Sequence, residues 1–142
     1  MGHLETKKHI LFVCTGNTCR SPMAAAVTNA QYGETYIAKS CGIMAASGSP
    51  MSAYAQSALA EHGISGDFTT HASQSVTEEL LVWAHVVVPL TESHHSQLLF
   101  AFPEYADKFH TFPSDISDPY GGDLEEYRRC LGDICAGLEW LM

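Results

Sequence analysis

The chain reads as an α/β protein, a parallel sheet with helices on both faces forming a three-layer sandwich. Short apolar runs at Ile10–Val13 and His85–Leu90 have the length of buried strands. Stretches with helical periodicity alternate with the strand-like runs, the pattern of strand–helix–strand units around a sheet covered on both sides. The length, 142 residues with 46% hydrophobic content, is that of one domain with a single core, residues 1–142.

Each element has a local reason. Ile10–Val13 forms the first strand and breaks at Cys14-Thr15-Gly16-Asn17. Ser21 is the expected N-cap and Pro22 the expected first position of an alanine-rich helix over 22–31, ending near Gly33. Thr35–Ser40 reads as the second strand, followed by a loop of small residues from Cys41 to Pro50. Residues 52–62 read as a helix with Ala55 and Leu59 on its apolar side, stopped at Gly63. Thr77-Glu78-Glu79 opens a short helix whose first-turn carboxylates complement its dipole. His85–Leu90 is the third strand, and Thr91 starts a helix to about Phe100 that Pro103 ends or redirects. Lys108–Thr111 is expected as a fourth strand, and residues 112–122 as a loop with two prolines and two glycines. Beyond Asp123, Leu124, Tyr127, Leu131, Ile134, Leu138 and Leu141 recur at helical spacing and predict an amphipathic last helix.

Composition narrows the function classes. A net charge of −9 argues against a nucleic-acid partner, which wants a basic face. The apolar stretch after Lys7-Lys8 stops at Cys14, so no signal peptide is expected, and no run of about 18 apolar residues is there to span a membrane. Five cysteines, an odd number without a secretory signal, read as reduced thiols in a cytoplasm. Met1-Gly2-His3 reads in part as an expression scar and is assigned no function.

The chemistry concentrates between Cys14 and Arg20. This loop leaves the C-terminal end of a strand and enters the positive N-terminal end of a helix, where successive backbone N–H groups can converge on an anion. Helix N-termini and neighbouring cations lower a cysteine pKa from roughly 8.5 to about 3.5–7.5. Arg20, the only arginine before Arg128, adds a planar fork of donors that matches two oxygens of a phosphate. A thiolate at the floor of a phosphate-sized cradle is a nucleophile aimed at phosphorus. A proton donor for the leaving group is also needed, and Asp118 in Ser117-Asp-Pro-Tyr-Gly-Gly122 is the candidate, ahead of Asp115. Pro119 stiffens that segment and Gly121-Gly122 gives it a hinge. The histidines, His94-His95 included, lack metal-ligand spacing with any cysteine pair, so neither a metal nor a cofactor is expected.

The string Cys14-Thr-Gly-Asn-Thr-Cys19-Arg20-Ser-Pro-Met-Ala24, following a buried strand near the N-terminus, resembles the low-molecular-weight protein tyrosine phosphatase family, which includes bacterial protein-arginine phosphatases. The resemblance covers essentially the whole chain and implies four parallel strands in the order 2-1-3-4. It implies a cysteine-dependent protein phosphatase acting on phosphoarginine or phosphotyrosine in protein substrates, with phosphate or another oxyanion bound in the loop. Cys14 would attack phosphorus, Arg20 bind the phosphoryl group and Asp118 serve as acid and then base. Thr15, Gly16, Asn17, Thr18, Cys19, Ser21 and Tyr120 would contact substrate, while Ser40 and His71, with Asn17 and Ser21, would brace the loop. In that family the pair matching Cys14 and Cys19 can oxidise to a reversible disulfide, the other reading of Cys19 being a small packing residue. Thr18, where tyrosine-specific relatives tend to carry isoleucine, points toward phosphoarginine. Tyr120, where arginine-specific relatives prefer phenylalanine, and Ala25, where many relatives have glutamate, are departures. An arsenate reductase of the same fold would need a further pair of redox cysteines downstream, and none lies between Cys41 and Cys130. A non-catalytic phosphate-binding module would have no use for the acid.

Overall fold

The computed structural model describes residues 6–142, so Met1-Gly2-His3 lies outside the described residues. Its middle strand is β1 (Lys8–Cys14), paired in parallel with β2 (Tyr36–Gly42) and β3 (Val86–Pro89). Phe12 lies opposite Ser40 on one side and opposite Val88 on the other. The helices are α1 (Arg20–Gln31), α2 (Ala53–Glu61), α3 (Glu78–Trp83), α4 (Glu92–Ala101) and α5 (Leu124–Leu141).

Because side chains alternate along a strand, β1 feeds two cores. Ile10, Phe12 and Cys14 join Met23 and Val27 of α1, Leu59 of α2, and Leu131, Ile134 and Leu138 of α5. Leu11 and Val13 join Leu80 and Leu81 of α3, Leu98 of α4, and Phe109. Burying each large apolar side chain contributes about 1.5–3 kcal/mol. A slip of one residue would exchange the two sets, so the register is held on both faces and with it the position of Cys14.

Helix caps explain several boundaries. The side chains of Thr77, Thr91 and Asp123 accept from the backbone N–H groups of Leu80, His94 and Glu126, satisfying donors that the first turn leaves free. α1 departs from expectation. It starts at Arg20, with Cys19 as an N-cap that makes no side-chain cap bond, so Ser21 and Pro22 sit inside the first turn. Pro22 is still tolerated there, since first-turn N–H groups lack helical partners. The Ser21 hydroxyl is drawn away to Cys14.

The sheet has three strands among the described residues, and the expected fourth strand at Lys108–Thr111 does not form. What remains is one parallel bridge between Val87 and Phe109, with His110 N donating to Val87 O at 2.9 Å. Residues 103–108 are taken up by a 3₁₀ helix. Val87 faces that outer edge, so by the two-residue period Pro89 does as well, and proline has no N–H to donate. The edge therefore lacks its next ladder donor.

The opposite edge is closed by side chains. The Asn29 amide both accepts from Ala38 N at 2.8 Å and donates to Ala38 O at 3.1 Å, while Gln74 Nε2 donates to Ser40 O at 3.0 Å. The Gln74 bond, with Gly42 N donating to Gln74 O and Gly42 O accepting from Val76 N, brings residues 74–76 against the C-terminal end of β2, beside the Cys14 loop.

Candidate active site

The loop from Cys14 to Arg20 is held from outside by its carbonyls. Cys14 O accepts from Ile43 N, Thr15 O from Met44 N and Thr18 O from Ser52 N, each at 2.9 Å. Asn17 O accepts from both His71 Nε2 and Ser73 Oγ at 2.8 Å. In a trans peptide the N–H lies opposite the C=O, and no peptide bond among the described residues is cis. With these four carbonyls turned outward, the amides of Thr15, Gly16, Thr18 and Cys19 turn inward. The result is a nest of donors that carries no net charge. It encloses a cavity of about 220 Å³, walled by residues 14–20 together with Asp118 and Tyr120.

Gly42 makes the tight fit possible. A Cβ there would lie 2.5 Å from Thr15 O and 3.1 Å from Asn17 N. Asn17 provides the bend. It is the one non-glycine residue with positive φ among the described residues, at 59°, and it is fully buried. Its amide Nδ2 donates to Ser21 Oγ and Ser40 Oγ at 2.9 Å, and its Oδ1 accepts from Gln74 N at 3.0 Å. These bonds offset the left-handed conformation, which asparagine tolerates better than most residues.

Ser21 Oγ lies 2.9 Å from Cys14 Sγ and 3.3 Å from Cys41 O. Because the hydroxyl already accepts from Asn17, its single proton serves one of these two, and a Cys14 thiolate would draw it. Arg20 is 6% exposed. Its Nη1 donates to Ile116 O at 3.0 Å and its Nη2 to Thr15 Oγ1 at 3.4 Å, with Asp118 Oδ2 3.7 Å from Nη2. The Asp118 side chain is half-exposed, and its Oδ1 accepts from Tyr120 N at 3.0 Å, a local turn that holds the carboxyl over the cavity.

All of the expected site residues come together. Cys14, Thr15, Gly16, Asn17, Thr18, Cys19, Arg20, Asp118 and Tyr120 line the cavity, and Ser21, Ser40 and His71 form the bracing behind it. Cys19 Sγ contacts Tyr127 OH at 3.3 Å, and both Cys14 and Cys19 are free thiols. Burial and the contact with Cys19 push the Tyr127 hydroxyl up to about 12. Four partners were not legible as site residues: Ser73, Gln74, His94 and Tyr127. His94 left a faint signal, lying four residues before Leu98 on the buried side of α4 and three after its N-cap. Its Nε2 lies 2.9 Å from Thr15 Oγ1 and its Nδ1 3.0 Å from Thr91 Oγ1.

Residues 9–142 match the low molecular weight phosphotyrosine protein phosphatase family. A protein-arginine-phosphatase of Geobacillus stearothermophilus is 42% identical over 132 residues, covering 88% of this chain and 87% of that protein. The crystal structure of a low molecular weight protein tyrosine phosphatase from T. tengcongensis superposes with a TM-score of 0.88 at 39% identity, covering 95% of this chain and 97% of that one. An arsenate reductase of Staphylococcus epidermidis is 32% identical over 133 residues, 94% of each chain. With the matched family spanning nearly the whole sequence and the cradle intact, the chain belongs to the low molecular weight phosphotyrosine protein phosphatase family.

Proposed function

We propose that this chain hydrolyses phosphorylated protein side chains through a phosphocysteine intermediate. The convergence of Cys14, Arg20 and Asp118 on one cavity lined by inward amides carries the reading. The Cys14 sulfur attacks phosphorus and forms the S–P bond as the bond to the leaving group breaks. Arg20 and the amides of Thr15, Gly16, Thr18 and Cys19 stabilise charge on the equatorial oxygens, as preorganised donors do in phosphoryl transfer. Asp118 delivers a proton to the departing atom. As carboxylate it then takes a proton from water, whose oxygen attacks phosphorus, releases phosphate and returns the electron pair to sulfur. Ser21 donates to that sulfur, while Ser40 and His71 hold the loop through Asn17.

Phosphoarginine is the favoured substrate, with phosphotyrosine the second reading. Thr18 places a hydroxyl in the wall of the cavity, able to bond a polar guanidinium group or the attacking water. The likeness to a protein-arginine-phosphatase agrees with this. Tyr120, exposed at the mouth, is the feature that would suit an aryl group. Arsenate reduction would need two further accessible thiols. Of the three thiols downstream of the loop, Cys41 and Cys130 are buried and desolvation pushes both up, Cys130 to about 12, which leaves Cys135 alone partly exposed.

The same reading takes residues 1–142 as one domain, with the cores on the two faces of β1 supporting a three-layer sandwich. Five free thiols support a cytoplasmic setting. No helix among the described residues is long and apolar enough to cross a membrane. The test is phosphate release from a chromogenic aryl phosphate and from phosphoarginine peptides. Turnover by the natural chain and none by Cys14→Ser is expected, whereas equal turnover by both would overturn the mechanism.

A further inference from the structure

Among the buried polar side chains, His94 is one that the proposed chemistry does not use. It is 3% exposed, on the first turns of α4, against the core that holds Leu98. If packing were its only task, an apolar side chain would serve better, because an imidazole brings two polar nitrogens that must each find a partner. Both have one. Following the protons gives the direction of the set. Arg20 Nη2 can only donate, so Thr15 Oγ1 accepts from it at 3.4 Å. The Thr15 hydroxyl proton is then available to His94 Nε2, 2.9 Å away. That leaves the ring proton on Nδ1, donated to Thr91 Oγ1 at 3.0 Å. The Thr91 oxygen also accepts His94 N at 3.1 Å as the helix cap, so it fixes both ends of the residue. The order Arg20, Thr15, His94, Thr91 is consistent, each group donating to the next.

We propose that His94 is a positioning residue for the phosphate cradle: it fixes the Thr15 hydroxyl, and through it the plane of the Arg20 guanidinium. The inference rests on the phosphatase reading and adds a part to it. Arg20 is held at Nη1 by Ile116 O and at Nη2 by Thr15. Without the second hold, the guanidinium can pivot about the first while keeping its charge and its place in the cavity. Binding of a phosphate dianion depends mainly on that charge, whereas the transition state depends on the fork meeting two equatorial oxygens in plane. Burial and the nearby Arg20 hold the His94 imidazole down at about 4, so at neutral pH it is the uncharged acceptor that the scheme uses.

His94→Leu should therefore lower kcat by about 10- to 100-fold, with KM moving far less. Thr15→Val, which leaves α4 untouched and removes the same link, should do likewise. The double variant should be no worse than the poorer single one, since both cut one chain. His94→Gln should recover most of kcat, because its Oε1 can take the Thr15 proton. Wild-type kcat in both His94→Leu and Thr15→Val, strictly additive losses, or a His94→Gln as impaired as His94→Leu would each overturn the inference. The guanidinium resonances of Arg20 give a readout independent of turnover. They should be distinct in the natural chain and in His94→Gln, and averaged in His94→Leu and Thr15→Val. If the natural chain hydrolyses neither a phosphoester nor phosphoarginine, the phosphatase reading fails. The resonances then decide on His94, and unchanged signals in both variants would sink it.

Discussion

Gly42→Ala gives a sharp test of whether the cradle is held at sub-ångström tolerance. The new Cβ would stand 2.5 Å from Thr15 O, where ordinary contact begins at 3.4 Å, so about 0.9 Å must be found. Alanine has no conformational penalty here, since Gly42 is not among the residues with positive φ. β2 cannot yield easily: Gly42 N donates to Gln74 O and Gly42 O accepts from Val76 N, both at 2.9 Å. The loop must move instead, and the atoms approached are backbone of Thr15 and Asn17, which have no rotamer to give. A displacement near 1 Å in a catalytic site lowers rates by on the order of 100-fold, and overpacking destabilises by about 1–3 kcal/mol. The assay is kcat/KM on a chromogenic aryl phosphate with a thermal melt alongside. Gly132→Ala in α5 serves as control, since a Cβ there meets nothing within 4 Å. A folded Gly42→Ala within about threefold of natural activity, a barrier change under roughly 1 kcal/mol, would refute the claim that this close approach sets the loop.

Asp118→Ala should slow substrates with poor leaving groups by about 100-fold or more and activated aryl phosphates far less, as expected when a general acid is removed. Equal loss on both, read from kcat across leaving groups, would move the acid elsewhere. Thr18→Ile should shift the ratio of kcat/KM values away from phosphoarginine and toward phosphotyrosine peptides. An unchanged ratio would remove the residue-level reason for favouring arginine. The folded chain keeps His94 neutral down to about 4, while the unfolded chain takes up that proton near 6.5. Its contribution is complete above pH about 6.5 and is lost as pH falls through about 4. Melts at pH 7 and pH 5 should show a larger drop for the natural chain than for His94→Leu, and parallel drops would contradict the burial argument.

Much of this fold could be read from local rules. The Ile10–Val13 run, the caps at Thr77, Thr91 and Asp123, and the periodicity of α5 all carry their reason within a few residues. Cys14, Arg20 and Asp118 could be singled out because the proposed chemistry requires those residue types near one another, and one cavity brings the three together. The fourth strand misled, because Lys108–Thr111 has an acceptable strand composition. The obstacle lies on its neighbour, where Pro89 withholds the donor that a ladder would use. The start of α1 was misplaced for a related reason. Ser21 has the composition of a cap, but its hydroxyl is claimed by Cys14 and Asn17. His94, Ser73 and Gln74 reach Thr15, Asn17 and Ser40 from more than 30 positions away, and no spacing rule records such encounters.

Proline at one border of the sheet and the Asn29 amide at the other have a consequence for behaviour in crowded solution. A visiting strand finds its hydrogen-bonding seats at Ala38 already taken, and along β3 it meets a gap where a donor should be. The native chain is thus a poor template for strand-by-strand growth into fibrils, and self-association of that kind has to wait for the sheet itself to open.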